Sequence, residues 1–397
     1  MIDARRSIRI VSFASLLLAG CARKPASPPP HAAAPVDKGS RLYATYCATC
    51  HGRDRNGYTS DNAPSLRTAT FLATASDAFL TAAVTRGRPG TAMAAFGRSL
   101  GGPLPPEDVT ALVGFLRRGA PPPVALSAAA VAGDLAQGRA TYTNLCVRCH
   151  GTATQRSTAV HLANPILLQT ASDAFLRYAV TEGRAPTSMV PWRGALTPKQ
   201  IDDLVAYVRS LATLPPVPAT PPPVAAQPPR HDPGPPAAPR EGPIVLNPRG
   251  RAPEFTLKDD LYVSIDQVKA ALDAKRRIVI ADARPPSEWL NLRIKGAIST
   301  PFYDVKSLDD LPKDGTWIVA YCACPHHLSG TVVEALRARG YRHTAVLDEG
   351  IFAWQQKKYP VITAPGAAPP PSPPPMPPSA PARLLPPPAA PAPTAHH

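Results

Sequence analysis

The chain has 397 residues, 53 of them proline, and a formal net charge of +15. Most prolines sit in the tracts Pro25–Pro35, Pro121–Pro123, Leu214–Pro243 and Pro365–Pro393. There a fixed φ and a missing N–H favour extended chain, which excludes one large core and leaves three compact stretches of about 80–120 residues. The arginines are scattered over all three stretches with no basic run interleaved with aromatics. Nucleic acid is therefore not expected as a partner, and a basic face toward an acidic redox protein is the better use of the charge.

At the N-terminus, Arg5, Arg6 and Arg9 precede an apolar run, Ile10–Ala19, that ends in Leu18-Ala19-Gly20-Cys21. The run is well short of the ~20 residues that span a bilayer, so it reads as a signal-peptide core. Leu-Ala-Gly-Cys resembles the bacterial lipobox. Residues 1–21 are then a lipoprotein signal, with Cys21 the lipid anchor of a periplasm-facing chain; an ordinary cleaved signal with an incidental Cys21 is the alternative. No other segment is apolar enough to span a membrane. Residues 22–36 follow as a proline-rich linker.

The remaining six cysteines fall into three close pairs, two of which read Cys47-Ala-Thr-Cys50-His51 and Cys146-Val-Arg-Cys149-His150. Cys-x-x-Cys-His is the attachment pattern of c-type haem. Two thiols one helical turn apart reach the two vinyl groups of one porphyrin, and the adjacent histidine points at the iron. A zinc half-site would need further Cys or His ligands, and a redox dithiol would leave each histidine unexplained. Two covalent haem c groups are expected.

The distal ligands follow by elimination. Met1 is the start and Met376 lies in the proline-rich tail, leaving Met93 and Met189, which stand 42 and 39 residues after His51 and His150. Core filling is the ordinary use of methionine, and His161 lies too near the second motif. His/Met ligation, expected twice, raises the reduction potential, as suits an electron carrier. An internal duplication agrees. Thr74–Leu80 recurs unchanged as Thr170–Leu176 at an offset of 96, which also relates Met93 to Met189 and Gly87-Arg88 to Gly183-Arg184. Gly39 and Tyr43 precede the first motif as Gly138 and Tyr142 precede the second. Apolar stripes at Val109, Leu112, Val113, Leu116 and at Ile201, Leu204, Val205, Val208 predict two closing helices.

These residues resemble class I cytochrome c domains over 37–119 and 133–213, with a linker at 120–132. The resemblance implies all-α folds in which the glycine and aromatic of the first helix cross the last. It also implies a prolyl carbonyl that orients each proximal histidine, a role falling to Pro64 and Pro165.

After the linker 214–243, expected as a semi-stiff tether of up to about 90 Å at ~3.1 Å per residue, the pattern changes. Strands at Ile278–Ala281 and Trp317–Tyr321 and a helix at Gly330–Arg339 predict an α/β domain over 244–364, before a disordered tail at 365–397. Asp282-Ala-Arg284, Glu288, Gly296-Ala-Ile298, Tyr321-Cys322, Gly350, Trp354 and Tyr359-Pro360 resemble a rhodanese-like domain. The resemblance implies a persulfide on Cys322, while Asp282, Arg284 and Glu288 brace the fold. At a strand-to-helix turn, Cys322 is expected to be accessible and its thiolate favoured.

The loop reads Cys322-Ala-Cys324-Pro-His326-His327, with histidines where sulfurtransferases often carry Arg or Lys, so its positive charge would develop only at lower pH. Persulfide chemistry (Cys322, with Cys324 resolving it), a non-catalytic binding module, and a Cys324/His326/His327 metal site all remain open. The sequence thus reads as a lipid-anchored dihaem electron carrier. Its partners are respiratory redox proteins, and its third domain either couples it to a sulfur compound or docks a partner.

Overall fold

The computed structural model describes residues 37–211, 241–323 and 326–364. Cys21, Cys324 and most of the tether lie outside them. Among the described residues no helix is long and apolar enough to cross a membrane.

The helical half is two copies of one five-helix pattern. The first comprises α1 (Lys38–Tyr46), α2 (Ala48–His51), α3 (Ala69–Leu72), α4 (Asp77–Arg86) and α5 (Pro106–Leu116). The second comprises α6 (Leu135–Leu145), α7 (Val147–His150), α8 (Pro165–Thr170), α9 (Asp173–Glu182) and α10 (Pro198–Ser210). Helix starts are encoded locally. Asp37 and Asp134 cap α1 and α6, Ser76 and Ser172 accept the N–H of Phe79 and Phe175 at 3.1 Å, and Thr197 with Gln200 closes a capping box on α10. α1 crosses α5 and α6 crosses α10 through glycine. A Cβ on Gly39 would lie 2.3 Å from the Ala111 carbonyl oxygen, and one on Gly138 would lie 2.0 Å from that of Asp203. Tyr43 then stacks near Phe115 at 5.1 Å and Tyr142 near Tyr207 at 5.3 Å. The implied glycine–aromatic crossing is present in both copies.

The copies share one core. α4 packs on α8 and α3 on α9, a reciprocal arrangement that brings the duplicated heptapeptides face to face, with Phe79 and Phe175 5.1 Å apart. Burying such side chains stabilises by about 1.5–3 kcal/mol each. Polar contacts fix the same seam: Thr70 donates to the Gly183 carbonyl at 2.8 Å, Asn164 to that of Pro89 at 2.9 Å, and Arg156 pairs with Asp61 at 3.0 Å.

The C-terminal half is α/β: β1 (Tyr262–Val263), α11 (Ile265–Asp273), β2 (Ile278–Asp282), α12 (Pro286–Asn291), β3 (Leu292–Ile294), β4 (Ile298–Ser299), β5 (Trp317–Tyr321), α13 (His327–Ala338), β6 (Thr344–Leu347), α14 (Gly350–Gln356) and β7 (Val361–Thr363). A fully parallel sheet runs β1-β6-β5-β2-β4, and β3 pairs antiparallel with β7. Strand alternation builds a core on each face. Val279, Ala281, Ile318 and Ala320 meet α13, whereas Ile278, Ile280, Val319 and Tyr321 meet α11 and α14. Arg284 is buried with both its Nε and Nη2 on the Asp282 carboxylate, at 2.9 and 2.6 Å, and Tyr321 donates to the same carboxylate at 2.6 Å. Burial alone would lower the guanidinium pKa, but Asp282 holds it above its usual value. These groups brace β2 against β5 and α12.

Candidate haem sites and the Cys322 loop

Each Cys-x-x-Cys-His segment forms a single turn directly behind a longer helix. The Cys47 N–H closes α1 onto the Tyr43 carbonyl and the Cys146 N–H closes α6 onto that of Tyr142, both at 2.9 Å. The second cysteine comes three residues later, back on the same side of the turn. None of the four is in a disulfide. Burial pushes the Cys47 and Cys50 thiols up to about 12 and Cys146 up to about 11, so these three are not ready thiolates for thiol exchange.

His51 donates Nδ1–H to the Pro64 carbonyl at 2.8 Å, and His150 does so to the Val160 carbonyl at 2.7 Å. This fixes the tautomer and leaves Nε2 as a lone-pair donor. Burial lowers both pKa values, keeping the imidazoles neutral. The expectation for Pro165 is therefore corrected: Pro165 opens α8 behind the Asn164 cap, and Val160 supplies the carbonyl. The histidine-to-carbonyl loop spans 13 residues in the first repeat and 10 in the second, so counting from the motif misses the residue. The duplication marks it, since Pro64 and Val160 are 96 apart, as Met93 and Met189 are.

The methionine loops close in the same way. α4 and α9 end at Gly87 and Gly183, whose φ values are +66° and +64°, and a Cβ on either would meet a methionine carbonyl oxygen at 2.5 Å. Arg88 N–H donates to the Met93 carbonyl at 2.7 Å and Arg184 N–H to that of Met189 at 2.8 Å. The two guanidiniums lie over Phe79 and Phe175 at 5.3 and 5.1 Å, and burial lowers each to about 10. Arg184 Nη2 is buried with no hydrogen-bond partner among the described residues. Free paired thiols, an available Nε2, a thioether and a buried guanidinium that would welcome a propionate together fit covalent haem in both repeats. His161 is engaged elsewhere, its Nε2 bonding the Thr152 carbonyl at 2.8 Å.

Sequence reading missed a further repeated device. Arg117 bonds Asp77 and the carbonyls of Leu72 and Ala75, and Arg209 bonds Asp173 and those of Leu168 and Ala171. Both arginines bolt the end of the closing helix to the start of the fourth. Both lie outside the apolar stripes that mark those helices.

Cys322 follows β5, with its Sγ 3.3 Å from Ser329 Oγ on α13 and its carbonyl accepting the Ile351 N–H at 3.1 Å. It is 1% exposed, not accessible as expected, because Ser329 on α13 and the Gly350 turn lie against it. The histidines do not face a common anion pocket or metal site either. His326, at φ +78°, bonds Asp348 at 2.5 Å and stacks on Tyr262, while His327 Nε2–H donates to the Thr49 carbonyl at 2.9 Å. Among the described residues no group of three or more His, Cys, Asp or Glu is placed to hold a metal ion.

Thr49 lies inside the first Cys-x-x-Cys-His turn, so the Cys322 loop rests on a candidate haem site. Around it, Tyr46 meets Tyr303 edge-on at 4.8 Å, Ser287 Oγ–H donates to the Ala95 carbonyl at 2.6 Å, and Ala92 packs against the α/β core.

The family model for the cbb3-type cytochrome C oxidase subunit III matches residues 34–116 and 133–208, and that for the rhodanese-like domain matches 264–357. The chain is 30% identical over 184 residues to the cbb3-type cytochrome c oxidase subunit FixP of Bradyrhizobium sp. (strain ORS 278), covering 44% of this chain and 60% of that protein. It is also 30% identical over 192 residues to subunit CcoP of Azospirillum sp. (strain B510), covering 44% and 61%. The chain thus spans about three fifths of the length of these curated relatives. A crystal structure of the Alr3790 protein from Anabaena sp. aligns at 26% identity with a TM-score of 0.24, over 25% of this chain and 91% of that one. The chain is built from two cytochrome c domains of the cbb3-type subunit III kind, which imply electron transfer through covalently bound haem c, and one rhodanese-like domain.

Proposed function

We propose that this chain is a dihaem electron carrier, lipid-anchored through Cys21 on the periplasmic side of a membrane, that takes electrons from a reduced sulfur compound at Cys322. The observation that carries the two-haem reading is the repeated proximal geometry, in which His51 and His150 each hold a backbone carbonyl through Nδ1 and offer Nε2. Cys47 with Cys50 and Cys146 with Cys149 would form the thioether links, and Met93 and Met189 would join His51 and His150 as the ligands of the two irons. Haem supplies one-electron redox chemistry; the protein sets its potential through ligand, burial and hydrogen bonding. The acceptor is a respiratory redox protein, in keeping with the oxidase subunits among the relatives.

At the sulfur site, sulfide and the Cys322 thiolate join through a new S–S bond. Hydrosulfide loses its proton to solvent, and two electrons leave, one for each cytochrome domain. The product is a Cys322 persulfide, and a thiol acceptor removes its outer sulfur and restores the thiolate. Ser329 Oγ, 3.3 Å from Sγ, is positioned to donate to that thiolate. Only a small sulfur species suits so closed a loop.

The burial of Cys322 also favours a second reading, in which the rhodanese-like domain is a non-catalytic docking module on a purely respiratory carrier. Anaerobic mixing of the oxidised full chain with sulfide, thiosulfate or polysulfide separates the two. The sulfur reading expects growth of the reduced haem band, lost in Cys322→Ser. No reduction by any of the three leaves the docking module.

A further inference from the structure

The two cytochrome repeats are alike inside and unlike outside. In the first, Tyr46, Thr49, Ala92 and Ala95 lie against the α/β half. Their counterparts in the second are Leu145, Arg148, Ser188 and Pro191. Leu145 is 40% exposed, Ser188 and Pro191 are exposed, and the Arg148 carbonyl accepts from the nearby Ser157 hydroxyl at 2.8 Å. The duplicated surface is thus covered in one copy and open in the other.

What covers it is the neighbourhood of Cys322. His327, the first residue of α13, reaches out of the loop to the backbone of the attachment turn, and Tyr303 and Ser287 hold the turn's flank and the Met93 loop.

We propose that this seam is a fixed redox contact: electrons released at Cys322 enter the chain at the first cytochrome repeat, and they leave from the second, whose matching surface is open to a partner. This rests on the sulfur reading above and adds a direction to it. The two-electron release fits a chain of two one-electron sites in series. The reciprocal packing of α3 and α4 on α9 and α8 supplies the contact between them.

The test has two arms, both on the full holo-chain. In the first, His327→Ala and, separately, Tyr303→Leu remove seam contacts. Both should speed amide hydrogen exchange over residues 46–51 and shift the midpoint potential of the first haem while leaving the second in place. Unchanged exchange and potential in both variants overturn the seam. In the second arm, Met93→His lowers the potential of the first haem so that it no longer accepts. Sulfide should then fail to reduce the second haem, although a small-molecule reductant still does. Reduction of the second haem by sulfide at the wild-type rate overturns the direction. If wild-type chain is not reduced by sulfide while the first arm gives its expected shifts, the sulfur reading fails and the docked seam stands.

Discussion

Pairing the two cytochrome repeats residue by residue separates what the haem fold requires from what this molecule adds. The Tyr43 and Tyr142 hydroxyls donate to the Gly52 and Gly151 carbonyls at 2.7 and 2.8 Å, and the Arg117 and Arg209 bolts fall on equivalent carbonyls. These bonds recur in both copies because each satisfies a backbone carbonyl at a helix end. Exterior positions carry no such debt. Tyr46 is a docking residue where the second repeat has an exposed Leu145, and the loop of different length holds Asp61, which ties the Ala92 N–H at 2.9 Å to Arg156 of the other repeat. The asymmetry lies at the surface, where electron-transfer partners are chosen.

The strongest test of equivalence is cofactor content. Cys47→Ala with Cys50→Ala should leave one haem per chain after denaturation, and so should Cys146→Ala with Cys149→Ala. A colourless, zinc-loaded product from either would remove the haem assignment. Next in size is the shared core. Phe79→Ala or Phe175→Ala should cost about 3–5 kcal/mol, as for large-to-small changes in packed cores. Because the rings meet across the repeat boundary, both repeats should unfold in one transition. Two separate transitions in a thermal scan would show that the repeats do not stabilise each other.

Much of this was legible in the sequence because it is local or repeated. The Cys-x-x-Cys-His motifs, the unchanged heptapeptide and the glycine-led first helices each place chemistry by spacing alone. Val160 was hidden because its role belongs to a backbone carbonyl, which no side chain announces. The seam was hidden for a different reason: His327 and Thr49 are 278 residues apart, and no periodicity links them. Cys322 is buried by α13 and the Gly350 turn of its own half, so a strand-to-helix turn that looks open in sequence is closed in the fold.

A smaller effect should distinguish the arginine bolts. Asp173 is 17% exposed against 72% for Asp77, so Arg209→Ala should cost more than Arg117→Ala, about 2–3 against about 1 kcal/mol for hydrogen bonds to charged groups. Burial raises the Asp173 pKa, but the Val131 N–H and Arg209 outweigh it and hold the carboxyl below its usual value. A lowered folded pKa means that the contribution is complete above the unfolded value of about 4 and fades as pH falls through the folded one. The penalty of Arg209→Ala, read from denaturant midpoints, should therefore shrink below about pH 4. A penalty that stays constant to pH 2 would assign it to the two carbonyls instead.

The smallest expected effect sharpens the comparison most. His51 leans on a proline carbonyl and His150 on a valine carbonyl, at nearly the same distance. If the acceptor is what matters, the ring of Pro64 is dispensable. Pro64→Ala retains the carbonyl and gives up only the stiffness that proline imposes on the unfolded chain, a loss of about 0.4–1 kcal/mol where the native backbone suits both residues. The variant should melt slightly lower while the first haem keeps its absorption spectrum and midpoint potential. A shifted potential would mean that the proline ring itself positions the carbonyl, and the second repeat would then need another constraint at Val160. Asn164 is the nearest candidate for it: its side chain caps α8 through the Leu167 N–H at 3.1 Å and reaches across to the Pro89 carbonyl.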